Sequence, residues 1–180
     1  MRSLVGRAAG HGLALLLTGC GYSLVGRGVA VDPSIKRVGV PVFKDATGTP
    51  GLDQKITQKV VEELLKRGHY DVVPDATGVD AVVEGEIVSY RAIPIGFSQQ
   101  GTGTTASTQA SRYAVILVAR VKFRKLGATE SIWETDSLQV RDESDIGDSS
   151  ATFFERGDQV LERLSTSFAR TLVATMLEAF

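Results

Sequence analysis

The chain has 180 residues, of which 43% are hydrophobic and 23% charged, the composition of an ordinary folded protein at about the length of one domain. Its 20 Lys and Arg against 21 Asp and Glu give a formal charge of −1 and a pI near 6.1. That balance excludes the broad basic surface of a nucleic-acid binder and any bulk pull toward anionic lipid, so a charged site must be local.

The first twenty residues differ in character from the rest. Arg2 and Arg7 make a basic start, Leu13 to Leu17 an apolar run, and no acid precedes Asp32, which is the architecture of a secretory signal. The run is far shorter than the ~20 apolar residues that cross a bilayer. Leu17-Thr18-Gly19-Cys20 follows and matches the bacterial lipobox, where small residues fit the signal peptidase and the thiol receives a diacylglycerol. Cys20 is the sole cysteine, so an internal disulfide is impossible and lipidation accounts for the odd thiol. Two acyl chains on the glycerol and one, such as palmitate, on the new amino terminus give durable anchoring, because each buried CH₂ adds about 0.8 kcal/mol. Gly21 stands where aspartate would retain an enterobacterial lipoprotein in the inner membrane, so the expected location is the outer membrane, periplasmic side. The expected organisation is a signal peptide over 1–19, a lipidated tether over 20–34 and one α+β domain over 35–180. Cleavage removes Arg2 and Arg7 and no acid, which moves the formal charge from −1 to −3.

Along the domain, Ile35 to Phe43 alternates Val38, Val40 and Val42 with Arg37, Gly39 and Pro41, a strand whose proline puts it at an edge or an end. Asp45 to Pro50 is a turn cluster. Gly51 to Arg67 carries Leu52, Ile56, Val60 and Leu64 at i+4 spacing with Val61 and Leu65 beside them, which predicts an amphipathic helix capped by Gly68 after Lys66 and Arg67. Tyr70 to Val73 reads as a short strand stopped by Pro74, with a turn through Asp80. Ala81 to Pro94 sets Val83 and Ile87 against Glu84 and Glu86, although Val82 and Val88 leave the second face partly apolar. Ile95 to Ser111, rich in Gly, Ser, Thr and Gln, reads as a long polar loop, either mobile or in contact with a partner.

Arg112 to Lys125 places Tyr113, Val115, Leu117, Val121 and Phe123 on one face and Arg112, Arg120, Lys122 and Arg124 on the other. After Gly127, Ser131 to Arg141 is a further strand containing Trp133, joined to its predecessor by a short hairpin link. Asp142 to Ser149 reads as an acidic loop. From about Ala151 to the end, Val160, Leu164, Phe168, Leu172 and Met176 recur at four, with Phe154, Leu161 and Leu177 widening the stripe into a helix of about seven turns. The fold expected is α+β, with two amphipathic helices packed on one face of a mixed or antiparallel sheet of about four to five strands.

Catalytic signatures are sparse. The expected mature chain holds one histidine, His69, and lacks the nucleophile elbow, phosphate-binding loop and zinc-protease motifs, so no cofactor or metal is expected. An enzymatic reading would need a pocket gathering Glu84, Glu86 or Asp136 with His69. Cross-strand pairing of Glu84 and Glu86 with Arg120, Lys122 or Arg124, at roughly 0.2–1 kcal/mol each, is the favoured alternative. The three aligned cations, about 7 Å apart along the strand, are candidates to hold the phosphates of an anionic glycolipid. Ordinary solvent exposure and acid pairing are the competing account.

Cys20-Gly21-Tyr22-Ser23-Leu24, then Ile35 to Phe43 (IKRVGVPVF), Leu52 to Lys66 (LDQKITQKVVEELLK) and Ala81 to Glu86 (AVVEGE) stand in this order, and the chain thereby resembles the LPS-assembly lipoprotein family LptE. The resemblance implies a non-catalytic partner of the outer-membrane β-barrel LptD, plugging the barrel, assisting its assembly and helping deliver lipopolysaccharide to the cell surface. Cys20 is the one site it carries over. The residues themselves nominate Arg120, Lys122, Arg124 and Arg112 first for lipopolysaccharide contact, and Arg91 on the neighbouring strand second. The alternative is a periplasmic interaction lipoprotein that activates a cell-wall synthase or forms part of a secretion channel.

Overall fold

In the computed structural model, residues 32–67, 70–101, 103, 106–145 and 157–178 are described. Cys20, Gly68, His69 and Phe154, each given a role above, lie outside them. The elements in chain order are β1 (Arg37–Gly39), β2 (Lys44–Asp45), α1 (Leu52–Arg67), β3 (Asp71–Val73), β4 (Ala81–Gln100), β5 (Ser107–Lys125), β6 (Ser131–Asp145) and α2 (Gly157–Glu178).

The six strands form one mixed sheet in the order β3-β1-β4-β5-β6, with β2 pairing β4 beyond the end of β1. β3, β1 and β4 run parallel, as do β2 and β4. β4, β5 and β6 are an antiparallel meander. Each parallel step needs a crossover, and α1 supplies the one between β1 and β3. The expected α+β architecture is present, with one strand more than the upper count because β2 has only two residues.

Both helices bury their i+4 stripes, although Leu65, read beside the α1 stripe, is 55% exposed. Leu52, Ile56, Val60 and Leu64 of α1 and Val160, Leu164, Phe168, Leu172 and Met176 of α2 are fully or almost fully buried. They share one core with Val83 and Ile87 of β4, Val115, Leu117, Ala119, Val121 and Phe123 of β5, and Val140 of β6. At roughly 1.5–3 kcal/mol for each large apolar side chain, this single layer of contacts is the main force holding the helices on the sheet. Lys55 and Lys59 of α1 reach Glu162 of α2 at 3.0 and 2.6 Å, fixing the helices' relative register at their exposed edge.

Phe43 anchors the segment between β1 and β2. Its ring meets Phe168 edge to face, with centroids 6.3 Å apart and planes at 86°. Its N–H donates to Thr57 Oγ1 at 2.9 Å, and that hydroxyl donates to the Asp53 carbonyl at 2.7 Å. The ring lies over Gly85, where a Cβ would stand only 2.6 Å from Phe43 Cζ.

Three expected boundaries are corrected. The strand read over Ile35 to Phe43 is only Arg37–Gly39, and Val42, placed with Val38 and Val40 by alternation, is 57% exposed. The polar segment Ile95 to Ser111 is not a long loop: β4 continues to Gln100 and β5 begins at Ser107, paired from Phe97↔Ala110 to Gln100↔Ser107. Backbone pairing needs no apolar side chains, so a Ser/Thr/Gln-rich segment extends as a two-stranded arm once its register is set from below. The acidic segment from Asp142 continues β6 as far as Asp145, opposite Arg112.

Candidate binding cleft on the open sheet face

With both helices on one side, the other face of the sheet is left open by the described residues, and the pairing register decides what stands on it. Glu84 is opposite Lys122 and Glu86 opposite Arg120, so the acids and the basic row share the open face. Arg120 pairs with Glu86 at 3.1 Å, Arg124 with Glu84 at 3.0 Å, and Lys122 with Glu134 of β6 at 3.7 Å. Arg112 pairs with Asp145 at 2.6 Å, and Arg141 with Glu143 at 2.8 Å. The favoured cross-strand pairing is therefore present, and every member of the basic row already faces an acid. Such exposed pairs contribute about 0–1 kcal/mol each, so they order the face more than they stabilise the fold.

Arg91 differs from the other nominated cations. An extra residue in β4 at Val88 shifts the register from Ile87↔Ala119 to Ser89↔Val118. Without that bulge, alternation from Glu86 would put Tyr90 on the open face and Arg91 among the helices. With it, Tyr90 packs against the core and Arg91 stands opposite Ile116. Arg91 is exposed and has no ion-pair partner among the described residues. Ile93, two positions along, is 38% exposed.

Lower on the same face is a cleft of about 580 Å³, lined by Pro41, Val42 and Lys44 on one side, Glu84, Gly85, Glu86, Arg120 and Lys122 along its floor, and Asp136 on the far side. Asp136 arrives through a second bulge, where β6 steps from Leu138↔Ala119 to Thr135↔Val121. The cleft thus collects Glu84, Glu86 and Asp136, the carboxylates an enzymatic reading could draw on, while His69, its other requirement, lies outside the described residues. The state of Glu84 argues against its use as an acid. The Arg124 guanidinium bound to Glu84 holds its carboxyl below the usual range, the opposite of what a general acid needs near neutral pH. No group of three His, Cys, Asp or Glu among the described residues is placed to hold a metal. Lys44 was not anticipated, because a two-residue strand leaves no periodicity to read.

At the top of the sheet, among the described residues, β6 pairing ends at Arg112, and β4 and β5 continue alone. Between Arg91 and Arg112 the chain holds no Asp, Glu, Lys or Arg, while Ile95 and Phe97 are 37% and 63% exposed. No described helix is long and apolar enough to cross a membrane.

A comparison with curated protein sequences finds no match. Among solved structures, the chain is similar to the hypothetical protein CT253 from Chlamydia trachomatis, with a TM-score of 0.50 at 9% identity, covering 81% of this chain and 99% of that one. It is also similar to the rare lipoprotein B from Shewanella oneidensis, with a TM-score of 0.46 at 12% identity and coverage of 78% and 95%. A minor lipoprotein from Acinetobacter baumannii gives 0.45 at 9% identity, covering 81% and 92%. Residues 35–176 match the family LptE, described as lipopolysaccharide-assembly.

Proposed function

Because the chain belongs to the LptE family of lipopolysaccharide-assembly proteins, we propose that it is a non-catalytic outer-membrane lipoprotein, anchored through Cys20 after loss of residues 1–19. In this reading it seats in the lumen of the LptD β-barrel, assists that barrel's assembly and helps deliver lipopolysaccharide to the cell surface. The match over nearly the whole domain is the observation that carries the reading.

Two surfaces support it. The open face, with charges of both signs largely paired, suits the wet, polar interior of a large barrel. The uncharged arm above it has backbone edges with no strand neighbour among the described residues, so it is unsuited to hydrocarbon, where unsatisfied N–H and C=O groups each cost several kcal/mol. A water-filled cavity walled by protein satisfies those edges, and Ile95 and Phe97 then find apolar contacts on the partner.

Lipopolysaccharide contact falls first to Arg91, whose guanidinium has no acid partner among the described residues to compete with a phosphate, while the exposed Ile93 offers an apolar surface beside it. Arg112, Arg120, Lys122 and Arg124 contribute less, because a phosphate must displace or share the acid each one holds. Depletion of the chain in its host tests the reading. The expected result is loss of newly made lipopolysaccharide from the cell surface with accumulation behind it, restored by the wild-type chain and not by Cys20→Ala. Unchanged surface lipopolysaccharide after complete depletion would refute it.

A further inference from the structure

We infer that the cleft between Lys44 and Asp136 is a site for a small dipolar ligand joining a phosphate to a primary ammonium, the chemistry of a phosphoethanolamine ester. The inference is independent of the family reading and rests on what the ion pairs leave over.

Six charged residues line the cleft, with Lys44, Arg120 and Lys122 balanced by Glu84, Glu86 and Asp136. The floor is neutralised by pairing: Arg120 with Glu86, Glu84 with Arg124, Lys122 with Glu134. Lys44 and Asp136 have no ion-pair partner among the described residues, and both are exposed. They stand on opposite walls. β2, β4, β5 and β6 are successive neighbours across the cleft, so at about 4.8 Å per strand the two backbones are roughly 14 Å apart, with both side chains lining the space between.

A guest bearing only negative charge would meet Glu84, Glu86 and Asp136 as well as the cations, and a guest bearing only positive charge would meet the converse. A dipole aligned across the cleft meets neither penalty. Its anionic end faces Lys44 and Arg120; only Nη1 of that guanidinium is engaged by Glu86, leaving N–H donors for the several oxygens of a phosphate. Its ammonium faces Asp136. Val42, 57% exposed, stands with Pro41 at one wall as an apolar shoulder for the carbons of the ester. The volume lies within the ~300–1,000 Å³ typical of small-ligand sites and is too small for a folded partner.

The test is an NMR titration of the full lipidated protein in detergent with glycerophosphoethanolamine, using glycerol 3-phosphate and ethanolamine as single-charge controls. Saturable shifts confined to residues around the cleft are expected with glycerophosphoethanolamine, and weaker responses with either control. Asp136→Asn should weaken the dipolar ligand about two- to fivefold, as expected of one exposed pair, and hold glycerol 3-phosphate at least as tightly as wild type, since that anion no longer meets the carboxylate; Lys44→Gln should weaken both. Both positions are exposed, so neither variant perturbs the core. Dihexanoyl phosphatidylethanolamine separates the sources: tighter binding than the soluble ester identifies a lipid headgroup, and equal binding a free ester. Absence of cleft shifts, equal affinity for glycerol 3-phosphate, or an Asp136→Asn variant that binds as wild type would each overturn the inference.

Discussion

Gly85→Ala should destabilise the domain although it adds a single methyl group at the middle of a regular strand. The methyl carbon would lie 2.6 Å from Phe43 Cζ and closer still to Cε2 and Cδ2. The ring has little room to yield: it is 2% exposed, packed edge-on against Phe168, and its backbone N–H is held by Thr57. Overpacking of this kind costs about 1–3 kcal/mol, and loss of the aromatic pair accounts for about 0.5–1.5 kcal/mol of that. At a few degrees per kcal/mol for a domain of this size, the melting temperature should fall by about 3–10 °C. Circular dichroism melts of wild type, Gly85→Ala, Phe43→Leu and the double variant form the assay. If the ring is the obstacle, the cost of Gly85→Ala shrinks by at least about 0.5 kcal/mol once Phe43 is leucine. Strict additivity, or a single variant that melts with wild type, would refute the reasoning. The same variant should disturb the wall of the cleft, since Phe43 anchors the segment that carries Pro41, Val42 and Lys44.

Other outcomes follow from the same structure. Arg91→Gln should reduce lipopolysaccharide retention by the purified protein more than Arg120→Gln, because Arg120 already holds Glu86 at 3.1 Å; equal losses would return the basic row to first place. Hydrogen bonds from Lys59 and then Lys55 lower the carboxyl pKa of Glu162, and one from Arg124 lowers that of Glu84. A depressed carboxylate stabilises the fold above its unfolded value, about 4.3, and loses that contribution as pH falls through the folded value. Thermal melts should therefore show stability declining below about pH 4, with a shallower decline in Glu162→Gln; an unaltered acid limb would contradict the pairing. Intact mass of protein recovered from membranes should lack residues 1–19 and carry the added mass of the acyl groups on Cys20, and an unmodified full-length product would end the lipoprotein reading.

Much of the fold was legible because periodicity and burial coincide. The i+4 stripes of α1 and α2 and the alternation of Val115, Leu117, Val121 and Phe123 against Arg120, Lys122 and Arg124 each point one way, and the core is built from them. The arm was not legible. Its Thr, Ser and Gln side chains carry no alternation, and it is strand because β4 and β5 pair all the way from Ala81↔Lys125 to Gln100↔Ser107. The open face was half legible. Three cations in a row can be read from spacing, but which acids oppose them depends on register. Arg91 and Asp136 owe their positions to bulges at Val88 and beside Ser137, where one extra residue exchanges the faces of the residues that follow until the next register shift. A period-two pattern cannot announce its own interruption.

The central claim is partnership with an outer-membrane barrel, and affinity purification of the tagged, membrane-extracted protein tests it most directly. Mass spectrometry of the eluate should find the LptD barrel at one copy per copy of this chain. Recovery of a cell-wall synthase or a secretion component in place of the barrel, or of the chain alone, would contradict the account.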